Sequence, residues 1–243
     1  MGAGSAKAET NATATYVVNL GGTIIASAKF RFTEGDGAYS LSMDANVSGV
    51  AQLVASGIAK VESSGRSTAE GLRSDSFKLM TRASGDEFNI NVQYQKANVT
   101  AFMIDPPIVN SIDRVPLERR QLNGVNDFMA SFIRKGRLDR NLCSYKANIF
   151  TGVERFDLSF SYAKDDVATS KRTGYQGPVV LCAIKYKPIA GHYTTSEITN
   201  SLAQDDRILV WFAPLGDSGY VLPYRVLLST SMGDLSMVLT TLE

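Results

Sequence analysis

The sequence is poor in the residues that carry most protein chemistry, with one histidine (His192), two cysteines (Cys143 and Cys182) and one tryptophan (Trp211) in 243 residues. A zinc site wants about four Cys, His or carboxylate ligands, or three and a water, and a Cys–His nucleophile wants a third group to orient its base. A site built on the two cysteines and His192, completed by an Asp or Glu, lacks any close-spaced ligand pair. No metal, no cofactor and no catalytic set is therefore indicated, and His192 reads as a polar residue in the turn-like loop "PIAGHYTT". The carboxylate pairs Asp165–Asp166 and Asp205–Asp206 read as solvated turn residues, because adjacent side chains on a strand point to opposite faces. The chain also lacks a Gly-rich phosphate loop, and "TNATAT" is a glycosylation sequon by pattern only.

Charge of one sign is missing as well. Against 24 Asp and Glu stand 25 Lys and Arg, a net +1 that lacks the basic excess of a nucleic-acid binder, so no nucleic acid is expected as a partner. Apolar runs never approach the roughly 20 residues of a membrane span. The opening "MGAGSAKAETNATAT" does not follow signal-peptide order, which leaves export open because a removed signal leaves no trace. Residues 1–15 are expected to be a disordered or appended leading segment, and 16–243 a single domain.

What the chain has in abundance is alternation. Tyr39, Leu41 and Met43 alternate with polar residues in "YSLSMDA", Phe88, Ile90, Val92 and Tyr94 in "EFNINVQYQ", Phe156, Leu158, Phe160 and Tyr162 in "FDLSFSY", and Phe30 and Phe32 in "KFRFTE". Turn signals separate such stretches at residues 20–22, 34–37, 63–65, 84–86, 216–219 and 232–234. The expectation is an all-β, mainly antiparallel protein whose long curved sheet forms an open or spiral barrel. One main helix is expected near residues 124–134, since Val125, Phe128, Met129, Phe132 and Ile133 recur at helical spacing. Asn123 or Asn126 would cap it, and Phe128, Met129 and Phe132 would rest on the sheet. Before it, three prolines in "DPPIVNSIDRVPLERRQ" point to a surface loop; "VAQLVASGI" reads either as a short helix or as more strand.

The run "IRKGRLDR" gathers Arg134, Lys135, Arg137 and Arg140. It reads as a solvated helix end, with a foothold for anionic headgroups, and so peripheral membrane contact, as the second reading. Cys143 is in phase with Tyr145, Ala147 and Ile149, and Cys182 with Val180, Ile184 and Tyr186, so both are expected to point to an apolar face. An even count in an otherwise thiol-free chain fits a disulfide in an oxidising compartment; two separate buried thiols are the alternative.

The later elements "CSYKANIFTGVERFDLSF", "YQGPVVLCAIKYKPIAGH", "DDRILVWFAP" and "YVLPYRVLLSTSMGDLSM" together resemble an exported family of unknown function from Gram-negative bacteria, over roughly residues 16–242. The resemblance implies a periplasmic protein and matches both cysteines to family positions. "TGVERFDL" stands where the family usually has a more basic "DGRRRFDL". By analogy the fold is similar to that of periplasmic carriers that shield lipoprotein acyl chains and of spiral β proteins linked to envelope integrity.

The function expected is non-enzymatic support of the cell envelope, by binding a hydrophobic or lipid-like ligand, a peptide or an envelope protein in the sheet's concavity. Phe30, Phe32, Phe88, Ile90, Phe128, Phe132, Phe156, Phe160 and Trp211 are the expected ligand-binding residues. Trp211 and its neighbour Phe212 must face opposite ways on a strand. The rivals are a hydrolase using Asp157 or His192, and a scaffold acting through its surface alone.

Overall fold

A computed structural model describes residues 9–48, 57–204, 207–230 and 233–243. The "VAQLVASGI" stretch falls largely outside these residues, as does the Asp205–Asp206 pair. Seven strands come first: β1 (Thr10–Leu20), β2 (Thr23–Gly35), β3 (Ala38–Val47), β4 (Gly57–Ser67), β5 (Leu72–Ala83), β6 (Asp86–Gln95) and β7 (Asn98–Asp105). A long loop then leads to a one-turn helix α1 (Phe128–Ser131) and the two-residue β8 (Arg134–Lys135). The second half holds β9 (Lys146–Phe150), β10 (Arg155–Ala168), β11 (Gly177–Ala190), α2 (Glu197–Gln204), β12 (Ile208–Pro214), β13 (Tyr220–Thr230) and β14 (Gly233–Leu242). β1 begins at Thr10, ahead of the domain boundary expected at residue 16.

All the strands join one antiparallel sheet in the order β7-β6-β5-β4-β3-β2-β1-β14-β13-β12-β11-β10-β9, with β8 paired to β13. Two meanders are thus sewn together where β1 meets β14. The outer edges β7 and β9 do not pair with each other, and the sheet stays open. An extended strap crosses the gap, with Asn123 bridged to Asn98 of β7 and Asn126 to Ile149 of β9.

Burial shows how the sheet is rolled. Strands β9, β11, β12 and β13 bury residues on both faces, and β10 buries its inner one: Ile149, Phe160, Val180, Cys182, Val210 and Phe212 form an inner cluster. Their opposite-facing neighbours Phe150, Val179, Ala213 and Leu222 join a larger cluster with Phe32, Leu41, Phe77, Val92 and Tyr94 of the first meander. The second meander is therefore nested in the concave side of the first. The ring of Tyr220 lies edge-on to Phe32 at 5.0 Å and Phe150 to Phe102 at 5.3 Å, while the Tyr94 hydroxyl donates to the Phe150 carbonyl at 2.9 Å. The expected open or spiral barrel is realised as a spiral.

Several local expectations need correction. Residues 63–65 are not a turn but lie inside β4, at a bulge where an added Cβ on Gly65 would sit 2.1 Å from the Arg73 carbonyl oxygen. Glycine serves close backbone approach there. Asp165 and Asp166 lie within β10 rather than in a turn. The helix of residues 124–134 shrinks to Phe128–Ser131, because residues 123–126 are spent on the strap and Arg134–Lys135 pair with Tyr220–Val221. Its cap is Asp127, which accepts from the Ala130 N–H at 2.8 Å, whereas Asn126 uses its side chain on the Ser74 N–H and the Leu72 carbonyl. Of the three residues meant to rest on the sheet, Met129 is buried and Phe132 half-buried, but Phe128 is 46% exposed.

Arg134 and Lys135 are not a solvated helix end either. The Arg134 guanidinium lies 4.1 Å from the centre of the Tyr145 ring and the Lys135 ammonium 4.7 Å from that of Tyr220. Arg137 and Arg140 do face solvent. Among the described residues no helix is long and apolar enough to cross a membrane.

Candidate functional site

An apolar pocket of about 300 Å³ lies on the concave side of the sheet, where β1, β2 and β3 meet β13 and β14 under the α1 turn. The first strands supply Tyr16, Phe30 and Met43, and β13 and β14 supply Pro223, Val226, Leu228 and Met237. Alternation explains the set: Tyr16 is opposite Leu239 in register, Met237 opposite Val226, and Leu235 opposite Leu228, so all face the same side. Phe128, Met129, Phe132 and Ile133 close the other wall. Among the described residues Tyr16 carries the only polar side-chain group in this lining, and its hydroxyl donates to the Pro223 carbonyl at 2.9 Å. Burial pushes the Tyr16 phenol far up, so it remains a donor with its proton already committed.

The α1 wall is pinned from behind. Asp127 is fully buried, and its Oδ2 accepts from the Ser63 hydroxyl of β4 at 2.5 Å and from the Ser74 hydroxyl of β5. Tyr39 of β3 completes the group, 2.9 Å from the Ser63 oxygen. Burial raises the Asp127 carboxyl above its ordinary range, against the lowering effect of those hydroxyls and of the α1 N–H groups.

Of the nine expected ligand-binding residues, Phe30, Phe128 and Phe132 line this pocket. Phe32 and Ile90 are buried in the larger core, and Phe88 packs against it. Phe156 and Phe160 belong to the inner cluster, where Phe160 stacks on Tyr145 at 4.0 Å and fills the centre of the inner turn. Trp211 and Phe212 do face opposite ways: Phe212 is fully buried inside, and Trp211 is half-buried, donating its Nε1–H to Asp166 at 3.0 Å. That bond, ahead of the Val167 N–H and Lys164, holds the Asp166 carboxyl below its usual range.

Tyr16, Pro223, Val226, Leu228 and Met237 went unnoticed in the sequence. The last four sit in "LPYRVLLST" and "DLSMVLT", nearly continuous apolar runs in which period-2 alternation does not separate the faces. Met43 was visible as the third member of its alternating stretch.

The two cysteines are joined. Cys143 and Cys182 form a disulfide with Cα atoms 5.4 Å apart, within the ordinary range of about 4.4–6.8 Å. Cys143, however, does not open a strand: it ends a 3-10 turn, Arg140–Cys143, three residues before β9. A disulfide fits an oxidising compartment.

The residues named for hydrolysis are not assembled. Asp157 accepts from Arg155 Nη1 at 2.5 Å, and His192 Nδ1 is buried with no hydrogen-bond partner among the described residues. Glu154, near His192 and Arg114, has its carboxyl raised by burial in spite of those two basic groups. Among the described residues no three His, Cys, Asp or Glu side chains cluster as metal ligands do.

No curated protein and no solved structure matches the chain. A family profile described as "Protein of unknown function (DUF3108)" matches residues 15–240, which spans both meanders, the strap and the disulfide, and the chain belongs to that family.

Proposed function

We propose that this protein is a non-enzymatic component of the bacterial periplasm that supports the cell envelope by holding a hydrophobic, lipid-like ligand in the pocket beneath α1. One observation carries the reading: among the described residues every side chain lining the pocket is apolar except Tyr16, whose hydroxyl is already bonded to Pro223. Concave, water-sheltered apolar surface that the fold leaves unfilled is the usual form of a small-molecule site. The disulfide supports an oxidising compartment, and the resemblance to an exported family narrows that to the periplasm. The centre of the expected concavity is packed with the inner cluster, so the reading rests on the pocket at its flank, where the two meanders meet.

The test is a hydrophobic fluorescent probe titrated onto the folded protein. Binding that is displaced by phospholipid or by an acylated peptide supports the reading. Probe binding that develops only in denaturant overturns it.

A further inference from the structure

We infer that the pocket takes a single flexible hydrocarbon chain, inserted tail-first past Phe128 with its polar end left outside, an inference that rests on the ligand-binding reading above. The pocket has a floor and a rim. Tyr16, Phe30 and Ile133 are 4%, 7% and 3% exposed and form the floor, whereas Phe128 at 46% is the most open of the lining residues. Met43, Phe132, Val226, Leu228 and Met237 are half-buried and lie between these extremes.

The chemistry of the floor decides what goes in first. Among the described residues no charged side chain lines the pocket, and the Tyr16 proton is already given to Pro223. A carboxylate, phosphate or ammonium pushed to the floor would lose its water and gain no partner, so a head-first pose is strongly disfavoured. A peptide meets the same obstacle at every residue, because each backbone N–H and C=O brought inside would go unpaired. A hydrocarbon chain has no such groups to satisfy.

Size and compliance narrow the class further. At about 300 Å³ the pocket stands at the lower end of ligand cavities, roughly 300–1,000 Å³, which suits one chain rather than two. Met43, Met129 and Met237 contribute to its walls, and the unbranched thioether adapts to irregular surfaces. Such walls suit a flexible chain better than a rigid ring system. Free fatty acids, lysolipids and lipidated proteins all offer this chemistry.

The experiment uses the full, disulfide-intact chain with two photoactivatable fatty acids, one carrying a diazirine at the chain end and one beside the carboxyl. After irradiation, tandem mass spectrometry should place the chain-end adducts on Tyr16, Phe30 or Ile133 themselves, and the carboxyl-proximal adducts on Phe128. Met237→Trp should cut both adducts at least tenfold with the thermal midpoint retained; Met43→Trp serves if the first variant does not fold. A lysophospholipid and an acylated peptide should each compete with the labelled acid, and the unacylated peptide should not.

The reverse adduct pattern, or the same sites for both labels, overturns tail-first insertion. Competition by the unacylated peptide, with no effect of either fatty acid on a bound fluorescent probe, overturns the hydrocarbon class while the pocket remains a ligand site. Failure of any hydrophobic probe to enter the folded protein removes the ligand-binding reading itself.

Discussion

The hydroxyl of Ser63 donates to the buried carboxylate of Asp127 at 2.5 Å, across 64 residues of sequence. Through this bond β4 of the first meander holds the one-turn helix over the pocket, and Ser74 of β5 reinforces it. A helix of four residues does not sustain itself in water, so its position depends on this anchor and on the burial of Met129 and Ala130. Replacing Asp127 by alanine removes the cap and takes the carboxylate from two buried hydroxyls, leaving Ser74 to Asn126 and Ser63 to Tyr39. The expected loss is about 2–4 kcal/mol, read as a lower urea midpoint with unchanged slope.

The same carboxyl makes stability depend on pH. Its folded value is raised, so its stabilising contribution is fully present below the unfolded value near ~3.9 and is lost as pH rises through the folded value. Glu154, raised by burial, acts with the same sign. Asp127→Asn carries no ionisable group, so its stability relative to the parent should rise between mildly acidic and neutral pH. Urea midpoints for both proteins at several pH values check this; a constant difference would mean that Asp127 does not titrate in that range.

Removing the disulfide should lower stability without dissolving the sheet. Cys143 and Cys182 are 39 positions apart, for which loop-closure entropy gives about 3–4 kcal/mol. A Cys143→Ala, Cys182→Ala double variant should melt at lower temperature and keep its far-ultraviolet circular dichroism. Collapse of that signal would show that the bond is required for folding.

Gly65→Ala should be costly for a residue in the middle of a strand. The new methyl would press on the Arg73 carbonyl, the Asp75 N–H and the Ser74 Cα, which are backbone atoms with little freedom to yield. A loss of about 1–3 kcal/mol is expected in chemical denaturation.

Phe132→Ala is expected to cost less than the roughly 3–5 kcal/mol of a fully buried phenylalanine, because Phe132 is half-buried. It touches Phe128 at 5.1 Å and Phe160 at 5.8 Å between ring centres, so its loss also enlarges the pocket towards the inner cluster. Probe affinity should change more than the unfolding midpoint does.

Much of the fold was legible because the first meander buries one face of its strands, and alternation then reads directly as inside and outside. The hairpin at Asp36–Gly37 announced itself, both residues taking the positive φ that a tight hairpin needs. The hairpin at Lys96–Ala97 takes the same left-handed conformation without glycine, asparagine or aspartate, and no local signal marks it. The nesting was hidden for a different reason. A strand such as "VVLCAI", buried on both faces, is apolar throughout, and its sequence does not reveal which side meets the inner cluster and which the outer turn. Phe156 and Phe160 of β10 alternate cleanly, but alternation gives the face of a strand and not its turn of the roll, so the pattern groups them with Phe30 although they occupy the packed centre. The helix was over-read because Val125, Met129 and Ile133 recur every four residues and are all buried, yet the strap and β8 claim the backbone at either end.

The seam between β1 and β14 has a temporal side. Thr240 donates its hydroxyl to the Thr15 carbonyl across 225 residues, and every backbone pairing along that seam waits for the last strand to exist. A chain made from its amino end forward therefore holds β1 as an unzipped border until β14 has emerged. Unpaired borders of this kind invite pairing with other chains, and distant contacts slow folding. The final hairpin, β13 with β14, thus acts as the fastener of the whole roll, and the interval before it arrives is when the nascent protein most needs protection from its neighbours.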